Sequence, residues 1–152
     1  MVITSDQVKE LREKTGVSVM ECKKALDEAG GDMDKACAIL GTRAAAAVGK
    51  KSGRELGAGA VGAYVHNNVI VATVALSSET DFVAKNEEFL TLARNIAMHI
   101  SAIQPDNVQI LLTQAYIKDE SKTIQDLLSA ATQKFGERVE ISGMGLLFAT
   151  RT

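Results

Sequence analysis

Hydrophobic positions in the first 40 residues recur at helical spacing and are punctuated by capping residues and glycines. Thr4 or Ser5 begins a first helix with Val8 and Leu11 on one face, and Gly16 ends it. Ser18 and Glu21 read as an S-x-x-E capping box for a second helix, in which Cys22, Ala25, Leu26 and Ala29 share a face before the "GGD" turn. Asp32 caps a third, with Met33, Ala36, Cys37, Ile39 and Leu40 turned toward the first two. The pattern predicts a very small three-helix core in which both cysteines are buried as small apolar residues. From Gly41 to Gly59 the pattern changes to an alanine run, the basic residues Arg43, Lys50, Lys51 and Arg54, and glycines, which read as a helix end and a solvated linker. A domain boundary is expected there, with a helical domain over 1–50, a linker to about 56 and a second domain over 57–152.

The second domain opens with two β-rich runs, "AVGAYVHN" and "NVIVATVALS". They meet at Asn67 and Asn68, a pair that tolerates the positive φ of a tight hairpin turn. The later run is apolar on both faces, which places it in the middle of a sheet with helices on at least one side. A helix is predicted from near Lys85, with Phe89, Leu92, Ala93, Ile96, Ala97 and Ile100 as its buried stripe and Pro105 and Asp106 at its end. Residues 107–117 are weakly patterned and suit a short helix. Thr123 caps another, with Ile124, Leu127, Leu128 and Ala131 inward and Gly136 at its end. "RVEISGMGLLFATRT" supplies a closing strand with a kink at Gly143 and Gly145. The fold class is therefore α+β: a helical domain, then a small antiparallel sheet with packed helices.

Composition narrows the chemistry. A net charge of −2 over 152 residues gives the whole chain no electrostatic reason to seek nucleic acid or an anionic membrane. The basic stretch from Arg43 to Arg54 lacks interleaved aromatics, so a solvated tract is preferred to an RNA site. Two cysteines and two histidines supply neither a disulfide framework nor a metal cluster, and they suit a reducing cytoplasm. The first residues lack a signal or transit pattern, and no apolar run is long enough to span a bilayer. "VGKKS" falls short of a phosphate-binding P-loop: a second lysine stands where Ser or Thr is needed, and the earlier glycine is misplaced, so it reads as linker. The sequence offers no trustworthy Ser-His-Asp order and no metal-site spacing. With only six aromatic residues in the chain, Phe82 beside Asp81 at a strand-to-helix junction stands out.

Four stretches in order carry a family resemblance. "VKELREKTGVSVMECKKALDEAGGDMDKA", "ETDFVAKNEEF", "NIAMHI" and "ERVEISGMGLLFA" resemble elongation factor Ts, the guanine-nucleotide exchange factor of the translational GTPase EF-Tu, over nearly the whole chain. The resemblance implies that residues 1–50 form a helical domain of the ubiquitin-associated type. It also implies that the protein binds EF-Tu·GDP and promotes GDP release as an exchange factor without covalent chemistry, not an enzyme, with the nucleotide and Mg²⁺ belonging to the partner and no cofactor of its own. Thr80, Asp81, Phe82, Val83 and His99 are implied as exchange residues, with Phe82 as a wedge. Arg12, Met20 and Lys23 are implied to dock a helix of the GTPase, while Val19 departs from the family's commoner Met.

The connection between Pro105 and Thr123 is shorter than in the family's shorter members, which carry additional helices there, and nothing matches a second core repeat. Single-repeat members pair two chains, so a homodimer through the sheet region is the expectation. The alternative to exchange is an EF-Tu-binding adaptor, or another protein-interaction module, that binds without releasing nucleotide.

Overall fold

The computed structural model describes residues 2–150. Its contacts divide the chain into two compact units, one made of residues up to 52 together with 129–136, the other of 53–128 together with the residues from 137 onward.

In the first unit, α1 (Ser5–Thr15) starts at a complete capping box. Thr4 Oγ1 accepts the Gln7 N–H at 3.2 Å, and Gln7 Oε1 accepts the Thr4 N–H at 2.9 Å. Gly16, in the left-handed region at φ 72°, closes the helix. At α2 (Val19–Glu28) the expected box forms only by half. Ser18 accepts the Glu21 N–H, but the Glu21 carboxylate turns instead to Arg43 and Lys24, at 3.5 and 3.8 Å. An ionic partner competes with the backbone for the same oxygens.

The third helix, α3, runs from Met33 to Lys51, well beyond the expected end near Gly41. "VGKKS" is therefore a helix terminus, with the Ser52 hydroxyl donating to the Gly49 carbonyl, and not a linker. Each internal glycine costs a helix about 1 kcal/mol, but the intervening alanines are the best helix formers, and Ala44 is buried. Arg43, expected in a solvated tract, bonds Glu21 and Glu28 of α2. Val8, Leu11, Val17, Cys22, Ala25, Leu26, Ala36 and Leu40 make the core. Cys22 is fully buried, whereas Cys37 is only partly so, against the expectation that both were core residues. Burial also pushes the Cys22 thiol above its ordinary pKa.

The second unit is built on β1 (Ala58–His66), β2 (Ile70–Ser78) and a third long strand, Glu140–Phe148. β2 lies in the middle and pairs antiparallel with both neighbours. At the hairpin turn Asn67 and Asn68 have φ of 49° and 60°, and the Val69 N–H donates to the His66 carbonyl. A single-turn helix, α4 (Asp81–Ala84), precedes α5 (Glu87–Ile103), which Asn86 caps. The helical region thus starts with a separate turn, so the expected start near Lys85 falls between two helices.

Helix α5 packs on β1 and β2. It can approach because residue 62 is glycine: a Cβ there would lie 2.3 Å from the carbonyl carbon and oxygen of Ala93. Phe89, Ala93, Ile96, Ala97 and Ile100 of α5, and Ala72, Val74 and Leu76 of β2, are buried.

After α5 come α6 (Val108–Thr113), a two-stranded sheet that the weak patterning concealed, β3 (Ala115–Tyr116) with β4 (Asp119–Thr123), and α7 (Ile124–Phe135). The closing strand, β5 (Glu140–Phe148), is irregular at Ser142, which has no Cα partner where the register shifts between Ala75 and Leu76. Gly145 lets Thr73 Oγ1 come close and donate to its carbonyl. The sheet's other face carries Val61 and Leu147, each 69% exposed, and Val65.

Candidate protein-binding site

The corner between β2 and α4 is held by polar contacts on one side and burial on the other. Ser78 is fully buried, and its hydroxyl donates to the Thr80 carbonyl at 3.0 Å. Thr80 is extended and caps α4, its Oγ1 accepting the Val83 N–H at 3.4 Å. The cap is Thr80 and not Asp81, which lies exposed in the first turn of α4.

Val83 and Ala84 are buried. Because successive helical residues point about 100° apart, anchoring these two leaves Phe82 directed elsewhere, and its side chain is 85% exposed. Phe82 is therefore not a core filler in its own chain. The aromatic of the core is Phe89, which is fully buried.

His99 is placed differently from Phe82. It is fully buried on α5, so in the free chain it offers no surface to a partner. Nδ1 accepts the Ile117 N–H at 3.3 Å, which leaves the proton on Nε2 to be donated to Gln114 Oε1 at 2.9 Å. The ring also lies 6.2 Å from that of Tyr116, whose hydroxyl pKa is raised by burial. His99 thus ties α5 to the segment around β3, partners that the sequence pattern did not reveal.

In the helical unit, Arg12, Met20 and Lys23 are exposed, as is Val19. Four further residues surround the α4 corner and were missed at the level of sequence: Arg54, Glu79, Glu137 and Arg138. Glu79 and Glu137 bond across 59 and 57 residues of chain and Arg54 reaches Glu79 across 25, and no local motif marks such pairings. Among the described residues no group of three or more His, Cys, Asp or Glu is placed to hold a metal ion, and no helix is long and apolar enough to cross a membrane.

The corner therefore presents an exposed aromatic ring on a short helix braced from within the fold. Comparison with known proteins gives the family. Residues 79–150 match the family described as Elongation factor TS. Elongation factor Ts of Alkaliphilus oremlandii is 38% identical over 186 residues, covering 93% of this chain and 86% of the relative. That of Thermodesulfovibrio yellowstonii is 37% identical over 185 residues, covering 93% of each. The Clostridium kluyveri protein is 44% identical over 141 residues, 92% of this chain but 46% of the relative. The chain belongs to the elongation factor Ts family and is a translation elongation factor. Since 93% of 152 residues is about 141, roughly 45 of the 186 positions aligned with the Alkaliphilus protein have no counterpart here.

Proposed function

We propose that this protein is the guanine-nucleotide exchange factor of EF-Tu, acting in the cytoplasm on EF-Tu·GDP. The observation that carries the reading is the exposed ring of Phe82 on a corner whose neighbours, Val83 and Ala84, are buried. A phenyl ring offers a large apolar contact with little rotamer entropy to lose. Inserted into the GTPase, it displaces the elements that hold Mg²⁺ and the nucleotide phosphates, while Asp81 beside it accepts hydrogen bonds from the partner. Exchange then follows from linkage: a protein that binds the nucleotide-free GTPase more tightly than the GDP-bound one weakens GDP by the same factor. No covalent step is required, and nucleotide and metal stay with the partner.

Arg12, Met20 and Lys23, on a helical domain of the ubiquitin-associated type, supply docking affinity. His99 supports the site from inside the fold, holding α5 behind the corner. The apolar sheet face of Val61, Val65 and Leu147 is where a second copy pairs, giving a complex with two of each subunit.

The test is release of labelled GDP from a bacterial EF-Tu, with and without near-saturating protein. Acceleration that Phe82→Ala abolishes is the expected result. Binding without acceleration would instead identify a non-exchanging adaptor.

A further inference from the structure

Helix α4 has four residues, too few to hold its own conformation, because the first turn of a helix fixes several dihedrals for a single hydrogen bond. Burial of Val83 and Ala84 holds one side of it. The polar contacts on the other side include those from the segment just before β5, 57 and 58 residues away in sequence.

Glu137 Oε1 accepts two successive backbone N–H groups, those of Glu79 at 3.2 Å and Thr80 at 3.0 Å. Glu137 Oε2 accepts the Thr80 hydroxyl at 2.7 Å. That hydroxyl is the one whose oxygen caps α4, so a single carboxylate fixes the entering backbone and orients the cap. The reverse connection is also made. The Glu79 carboxylate accepts the Arg138 N–H and lies 3.5 Å from the Arg54 guanidinium. Arg138 in turn donates from Nε and Nη2 to Glu140 Oε1, at 3.0 and 2.8 Å, and from Nη1 to the Arg54 carbonyl. Two carboxylates, one just after β2 and one just before β5, cross to bind the backbone of each other's segment.

We infer that Glu137 is the positioning residue for Phe82: through Thr80 it fixes the α4 corner in the free protein, so that the ring meets the partner already oriented. This rests on the proposed role of Phe82. Its physical content is preorganisation, since a corner ordered before binding need not be ordered by it. In this assignment Glu137 acts through the corner, by the bonds it makes to Glu79 and Thr80.

The test uses the full chain and two readouts. In the free protein, Glu137→Ala should speed amide hydrogen exchange at Glu79, Thr80 and Val83 while the amides of central α5 keep their protection. In GDP release from EF-Tu, at a temperature where the variant is fully folded, it should lower stimulation about tenfold, and Glu137→Gln, which keeps two acceptor positions on one oxygen, should restore most of that loss. In a Phe82→Leu background, which keeps part of the apolar contact and of the stimulation, Glu137→Ala should cost markedly less than it does in the parent. A residue that merely stabilises the fold would not show that dependence. Unchanged protection at 79, 80 and 83, or an equal fold loss in the parent and in the Phe82→Leu background, would overturn the proposal alone. Absence of GDP release by the unmodified protein would overturn the functional reading and the proposal with it.

Discussion

Phe82 and Phe89 stand seven residues apart and do opposite things. Phe89 lies fully inside the layer between α5 and the sheet, and its removal leaves a cavity. Phe89→Ala is expected to cost about 3 to 5 kcal/mol, a large part of the stability of a small domain. Phe82→Ala exposes no new core surface, so its unfolding midpoint should stay near that of the parent while GDP release is lost. Thermal unfolding of the two variants side by side checks this, and a strongly destabilised Phe82→Ala would contradict the exposure of its ring. His99 belongs with Phe89 at this scale: it is fully buried and its two nitrogens are used within the fold.

At the scale of elements, the decisive contact is that of α5 on β1. It depends on a position with no side chain, because a Cβ at residue 62 would overlap the Ala93 backbone, which cannot swing aside as a flexible side chain could. Gly62→Ala is therefore expected to destabilise by about 1 to 3 kcal/mol or more, although alanine alone suits a strand no worse than glycine. Chemical denaturation measures it, and a neutral result would show that α5 can lift from the sheet at little cost. The α4 corner depends on contacts of the same non-local kind.

For the whole molecule, the proposed division of labour gives the helical domain affinity and the α4 corner the exchange step. Charge reversal at Lys23, which is exposed on α2, should raise the concentration needed for half-maximal GDP release and leave the saturated rate largely intact. A proportionate fall in the saturated rate would refute that division. Pairing of two copies through the open sheet face is tested separately. Leu147→Lys places a charge on an apolar, outward-facing position, and sedimentation should show the dimer lost and the monomer folded. A parent protein that sediments as a monomer at every accessible concentration would dispose of the pairing.

Local chemistry determined much of this protein. Capping residues, glycines and apolar periodicity located α1, α2, the Asn67–Asn68 hairpin, the central place of β2 and the buried stripe of α5, because each signal lies within a few residues of the structure it specifies. The unusual position of Phe82 was legible for the same reason. Only tertiary structure decided what competes with such signals or spans the chain. Glu21 gave up its capping role for Arg43, α3 ran on through its glycines once Ala44 was buried, and His99 turned inward to Gln114 and Ile117. The crossed carboxylates of Glu79 and Glu137 belong to this second group. Their pairing exists only after β5 has come to lie beside β2, and a hydrogen bond between residues so far apart leaves no periodicity in the sequence for a reader to find.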